Sequence, residues 1–169
     1  MIVDGELAAA AVRRPPTAVG DGTKTVREHI DSLNDSPLRG EGHQSPLTLI
    51  NIDEVADFIG EGRLEEVLSE GESLELLGTA NLSRGGGAEN ITDKVAPEII
   101  DIALKVASAT GLGICGVDVM TEDISDGSAP FFVIEVNVSP GIRMHHFPAI
   151  GEPVNAAQKI LNAVVKNSS

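Results

Sequence analysis

The sequence predicts an α+β fold, a largely antiparallel sheet with helices packed beside it. Three observations point there. Ile2-Val3, Asp4-Gly5 and the apolar run Leu7 to Val12 read as strand, tight turn and strand. Helical periodicity falls in separate stretches with their own caps. Finally, Ile114 to Met120 and Phe131 to Val138 read as strands flanking an acidic connection. The order ββααβαββα, with hairpins and separate helices, argues α+β with a largely antiparallel sheet.

Each element has a local cause. Asp4-Gly5 tolerates the positive φ that two-residue hairpins demand. A three-residue strand at the very start has nothing before it to fix its edge, so the expectation is a chain whose parent continues upstream. Arg13-Arg14-Pro15-Pro16 ends the hairpin, and Gly20-Asp21-Gly22 adds a flexible break. Thr25 with Glu28 forms a capping box, and Val26, Ile30 and Leu33 share one helical face. Residues 35–47 (DSPLRGEGHQSPL) predict a surface loop. Val55, Phe58 and Ile59 before Gly60 predict a second, shorter helix. Leu74 to Leu82 reads as a strand leading into the loop Ser83-Arg84-Gly85-Gly86-Gly87. Pro97 at a first-turn position, Ile100, Ala103, Ala107 and the stop at Gly111 mark another helix. Pro140-Gly141 breaks the last strand, and Val154, Ala157, Leu161 and Val164 define a final helical face. There are no internal repeats, and residues 1–169 read as one domain.

Composition narrows the function classes. The 169 residues carry 12 Lys+Arg against 26 Asp+Glu, a net charge of −14, with 41% apolar residues, enough for a packed core. So acidic a chain with no basic run is a poor partner for nucleic acid, whose binding rests on cations neutralising phosphates. With no Trp or Tyr and four Phe, base stacking cannot carry recognition either. No apolar stretch approaches the roughly 18 residues of a membrane span, so no membrane partner is expected. The lone Cys115 excludes an internal disulfide framework and fits a reducing cytoplasm; in an apolar strand with no base beside it, it reads as a small buried residue.

The most informative region pairs Gly116-Val117-Asp118-Val119-Met120 with Ile134-Glu135-Val136-Asn137-Val138. A hairpin centred between Asp126 and Gly127 puts Asp118 opposite Glu135. Alternation then places Gly116, Asp118 and Met120 on one face with Val133, Glu135 and Asn137, and Val117, Val119, Phe132, Ile134 and Val136 on the core face. Opposed carboxylates repel unless something positive sits between them, and two carboxylates with an amide oxygen suit Mg²⁺. The competing reading is a solvated face in a very acidic protein.

Other motifs are weaker. Gly111-Leu112-Gly113-Ile114-Cys115-Gly116 fits GxGxxG but ends a helix and opens a strand, the reverse of a dinucleotide fingerprint. No glycine run is followed by Gly-Lys-Ser/Thr, which excludes a Walker A loop. Asp123 to Gly127 lacks the glycine and glutamate of a calcium loop. Arg84, Gly85 and Gly86 could offer a guanidinium and amide N–H groups to an anion, against the reading of an ordinary turn. Arg143 lies near the acidic pair and could neutralise a phosphoryl group. His145 and His146 have no third ligand nearby and read as packing or surface polarity.

Taken together, NLSRGGGAENITD, GVDVM and FVIEVNVSPGIRMHHFP, with the earlier AAAAVRRPPTAVGDGTKTVREHIDSLN and RGEGHQSPLTLI, resemble the C-terminal half of the ATP-grasp ligases. Within that superfamily the likeness is to cyanophycin synthetases and the ATP-grasp part of bifunctional glutathione synthetases, over nearly the whole chain. The resemblance implies the C-terminal portion of an ATP-grasp fold, a single incomplete domain. It also implies an enzyme that phosphorylates a carboxylate with ATP and lets an amine displace the acyl phosphate. Its partners would be ATP, amino-acid or peptide carboxylate and amine substrates, and the upstream N-terminal half of the same enzyme. The family's metal ligands carry over to Asp118, Glu135 and Asn137, holding two Mg²⁺ ions; Met120 matches a position lining adenine, and Arg143 a basic residue contacting phosphate or substrate. One departure stands out. Leu76-Leu77-Gly78-Thr79 occupies the place where relatives of the cyanophycin synthetase type carry arginines, which opens an alternative: a degenerate, non-catalytic binding or regulatory module.

Overall fold

The computed structural model describes residues 1–41 and 45–166. Residues 42–44 of the expected surface loop lie outside the described residues. The chain forms two compact units, Met1–Val12 with Asn90–Ser169, and Arg13–Glu89.

In the first unit, β1 (Ile2–Val3) and β2 (Glu6–Leu7) form the expected hairpin, its turn made by Asp4 and Gly5 at φ 49° and 77°. In chain order follow β3 (Ala11–Arg14), β4 (Thr17–Val19), α1 (Val26–Asn34), β5 (Arg39–Gly40), β6 (Leu47–Thr48) and α2 (Ile52–Ile59). Next come β7 (Ser73–Glu75), β8 (Gly87–Asn90), α3 (Pro97–Thr110), β9 (Ile114–Thr121), β10 (Phe131–Asn137), α4 (Arg143–His146) and α5 (Ala156–Lys166). The principal sheet is antiparallel, in the order β10-β9-β1-β2. The remaining pairs are β3 with β8, β4 with β7, and the two-residue parallel pair of β5 with β6.

Helix α3 starts at Pro97, ends at Gly111 in the left-handed conformation, and packs Ala107 against Ile2 and Cys115, with Ala103, Leu104, Val117 and Val136 beside them. Cys115 is fully buried. A smaller cluster joins Val3, Ala8 and Ala163, with Ile160 at its edge. Here α5 departs from expectation. Ala156 and Ala163 are its buried residues, whereas Leu161 and Val164 are 56% and 50% exposed. The small Ala163 side chain lets the helix pack against Val3 and Ala8.

The second unit has one continuous core, built from Ala18, Val26, Ile30, Ile50, Val55, Leu64, Leu68, Leu76 and Leu77. The Thr25 capping box forms as the sequence requires, Thr25 accepting from the Glu28 N–H and Glu28 from Thr25. Strand β7 is shorter than the expected 74–82. Its partner β4 is held to three residues between Pro16 and Gly20, so the ladder ends at Glu75 and the chain bends while Leu76 and Leu77 stay in the core.

A second correction concerns the β9–β10 hairpin. Its inner half follows the expected register, Asn137 opposite Gly116, Val136 opposite Val117 and Glu135 opposite Asp118. A bulge then inserts Ile134, so that Val133 faces Val119 and Phe132, not Val133, faces Met120. Beyond the bulge the expected core face is not core: Phe132 and Ile134 are 69% and 58% exposed. Among the described residues no helix is long and apolar enough to cross a membrane.

Candidate metal and phosphate site

The site begins with a register. Because Asp118 and Glu135 are direct partners on β9 and β10, their Cβ atoms sit about 4.5–5.5 Å apart and their carboxylates share one surface of the sheet. Two residues along β10, Asn137 donates from Nδ2 to Glu135 Oε1 at 3.0 Å. That bond orients the amide and leaves its oxygen as an acceptor beside the acids. Gly116, opposite Asn137, keeps the strand close to the turn that follows β10, since a Cβ there would stand 3.1 Å from Pro140 and 3.5 Å from Asn137.

The donors fit a hard divalent ion. Asp118 is half-buried and Glu135 exposed, so an ion can reach them, and each offers oxygen alone. Among the described residues no group of three His, Cys, Asp or Glu side chains gathers anywhere. Two carboxylates and one amide oxygen would make only part of a shell, the kind Mg²⁺ accepts when phosphate oxygens and water complete its coordination.

Met120 follows on β9, 62% exposed and opposite Phe132. Arg143 opens α4, a four-residue helix where the sequence suggested loop. The two histidines of that helix separate in role. His145 is buried, and burial, then the Met1 ammonium and His146, push its pKa down to about 4, so it is neutral at pH 7. His146 accepts the Ala157 N–H through Nε2 at 3.1 Å and so caps the start of α5. Sequence reasoning missed this cap, and missed Asn90 as well. Asn90 donates its backbone N–H to the Ile150 carbonyl at 2.9 Å and its Nδ2 to the Glu152 carbonyl at 2.6 Å, pinning the loop between α4 and α5. Neither residue has a spacing signal; both act on backbone atoms distant in sequence.

Arg84, Gly85 and Gly86 belong to the other unit. The Arg84 guanidinium is engaged by Glu54, with Nε and Nη2 both 2.8 Å from Oε2. The backbone N–H groups of Arg84 and Gly86 donate to the Asn81 carbonyl, and that of Ser83 to Asn81 Oδ1. Gly85 adopts a positive φ of 90° and its carbonyl accepts from Arg39 at 2.9 Å. Asn81 thus holds donors that the sequence offered to an anion.

Comparison with known proteins shows the family. Residues 71–164, more than half of the chain, match the RimK-like ATP-grasp domain. The chain is 42% identical over 167 residues to a cyanophycin synthetase of Synechocystis, covering 96% of this chain and 19% of that protein. To the bifunctional glutathione biosynthesis protein of Clostridium perfringens it is 32% identical, covering 96% of this chain and 22% of the relative. The crystal structure of a bifunctional glutathione synthetase from Pasteurella multocida superposes with a TM-score of 0.89 at 28% identity, over 98% of this chain and 24% of the other. The chain thus spans about a fifth of the length of the curated relatives it matches. With that family match, and an antiparallel hairpin bearing Asp118, Glu135 and Asn137, the chain belongs to the RimK-like ATP-grasp family.

Proposed function

We propose that this chain forms the Mg²⁺-ATP phosphate-binding wall of a cytoplasmic ATP-dependent carboxylate-amine ligase. The supporting observation is the opposed pair Asp118 and Glu135, with Asn137 hydrogen-bonded to Glu135, on a chain of this family. Both units would then be parts of one incomplete ATP-grasp domain, and the rest of the clamp would come from the upstream half of the same enzyme. The carboxylate and amine substrates would be amino acids or peptides, as the names of the relatives suggest.

In this reading Asp118, Glu135 and Asn137 hold two Mg²⁺ ions, which when bound neutralise the triphosphate. The exposed Met120 side chain covers adenine. Arg143 meets the phosphoryl group or the substrate carboxylate. A carboxylate oxygen attacks the γ-phosphorus and ADP leaves; the amine then attacks the acyl carbon, and phosphate leaves. Positioning and charge stabilisation are what protein groups contribute to such a transfer. Arg84, with Gly85 and Gly86, joins phosphate binding by exchanging Glu54 for the ligand. A second reading rests on Leu76 and Leu77: both are buried in the core, which leaves no cation at the positions where the resemblance implies arginines, and favours a non-catalytic module.

The test is Mg²⁺-dependent ATP binding by calorimetry, on this chain and on its full-length parent, with Glu135→Ala in each. The parent's affinity should fall by at least about tenfold, the effect of losing one charged contact. Equal binding by the variant overturns the metal assignment. Unimpaired nucleotide binding without turnover selects the non-catalytic reading.

A further inference from the structure

Strand β5 carries a guanidinium that meets no carboxylate among the described residues. Arg14, Arg27, Arg63 and Arg84 each lie within ion-pair distance of an acid, as a chain with 26 Asp+Glu readily allows. Arg39 is half-buried and has no such partner among the described residues. Burial pushes its pKa down, and no neighbouring carboxylate offsets that push. Holding a cation partly out of water without a counter-charge costs free energy that an anion in contact would return. The guanidinium is also anchored. Its Nη1 donates to the Thr48 carbonyl at 2.6 Å and to the Gly85 carbonyl at 2.9 Å, which ties the end of β6 to the turn after Arg84.

Those bonds spend one nitrogen and leave an edge. Arg39 Nε and Nη2 make no hydrogen bond among the described residues. The buried side-chain nitrogen or oxygen without a partner there is His29 Nε2, so solvent reaches the Arg39 edge. In a planar guanidinium Nε–H and the neighbouring Nη2–H point the same way, a fork that matches two oxygens of one carboxylate or phosphate group. The anchor behind this fork is rigid. Gly85 has a φ of 90°, and a Cβ there would stand 2.7 Å from Ile50 Cγ1 and 3.1 Å from its Cα. Asn34 in turn holds the Ile50 N–H and carbonyl at 2.8 and 2.9 Å. A side chain already fixed at Nη1 has less freedom left to lose when its other edge takes a ligand. We infer that the Nε–Nη2 edge of Arg39 binds an oxyanion side-on, through two oxygens of one phosphate or carboxylate group. The site lies within the second unit and is independent of the proposed metal chemistry.

The experiment is an NMR titration of this chain, in a buffer free of other oxyanions, with inorganic phosphate, acetate and chloride at matched ionic strength. Phosphate, acetate or both should shift the Arg39 Nε–H resonance saturably, and chloride should not; the tighter of the two oxyanions assigns the group as phosphoryl or carboxylate. Arg39→Lys keeps the charge and loses the fork, so binding of that oxyanion, followed at the Gly85 and Gly86 amides, should weaken at least about tenfold, the effect of one charged hydrogen bond. Arg27→Gln removes a guanidinium elsewhere on the unit and should leave binding unchanged. Saturation by neither oxyanion overturns the proposal, and the unmodified chain decides this even where a variant fails to fold. So does chloride binding as tightly as the oxyanions, or undiminished binding by Arg39→Lys, either of which would mark a point charge without a fork.

Discussion

The two units place their apolar and charged residues differently. The unit Arg13–Glu89 gathers its apolar residues into one core and sets opposite charges against each other around it: Arg14 with Glu89, Arg27 with Glu65, Arg63 with Glu66, Arg84 with Glu54. The unit built from the two ends of the chain divides its interior into two small clusters and sets like charges face to face on β9 and β10. A fold selected only for stability would not oppose Asp118 with Glu135. Local inconsistency of this kind is what the proposed metal site would account for, whereas the second unit is consistent throughout.

That contrast is most directly broken in the larger core. Leu76 is fully buried there, so Leu76→Ala should cost about 2–5 kcal/mol in chemical denaturation, by lost transfer energy and the cavity left behind. A loss below about 1 kcal/mol would show a core that collapses around the gap and holds less stability than its burial suggests.

Acid should separate the units next. His145, in the first unit, has its pKa lowered from an ordinary 6.5 to about 4. Between those values the unfolded chain takes up a proton that the folded chain refuses, so stability falls as pH drops from 6.5 towards 4 and this contribution levels off below. Asp21, in the second unit, is held well below its ordinary 3.8 by backbone hydrogen bonds from Lys24 and Thr23 and by the Thr23 hydroxyl. Its contribution is present above 3.8 and is lost only as pH falls further, through its folded value. Amide resonances of the first unit should therefore broaden first on acidification, and His145→Gln should remove the slope between 6.5 and 4. Simultaneous loss of both units in that window would erase the distinction.

Smaller again is the effect of Glu135→Gln without metal. Replacing one of two opposed carboxylates with an amide relieves repulsion, so thermal stability in EDTA should be unchanged or higher by up to about 1 kcal/mol, while any stabilisation by Mg²⁺ disappears. A destabilised variant would make Glu135 structural.

How far the sequence reveals this arrangement depends on the range of each interaction. Thr25 and Glu28 cap α1 through neighbours three residues apart, and Asp118 meets Glu135 because both are equally distant from one turn. Such relations are written in spacing. The bulge at Ile134 is not, because alternation in the sequence continues through it and only the ladder shows the extra residue. The buried face of α5 is not written in side-chain size: Leu161 and Val164 are larger than Ala163, yet it is Ala163 that packs with Val3 and Ala8. Helix α4 is too short to show a period. Arg84 and Glu54 are thirty residues apart and meet only once the second unit has folded.

That last pair gives the finest test of the comparison. If the second unit's surface charges are merely satisfied, Arg84 and Glu54 should couple weakly. Their side chains are 45% and 38% exposed, so water screens the attraction and ordering both side chains offsets much of what remains. A double-mutant cycle with Arg84→Gln and Glu54→Gln should return about 0.2–1 kcal/mol, falling as salt is added. The fold of the loop should survive, because Asn81 holds Ser83, Arg84 and Gly86 through backbone N–H groups that neither substitution touches. A coupling above about 2 kcal/mol would show a pair better shielded than its exposure suggests. Arg84 would then be locked to Glu54 and unable to exchange it for a phosphate, which would remove it from the proposed function.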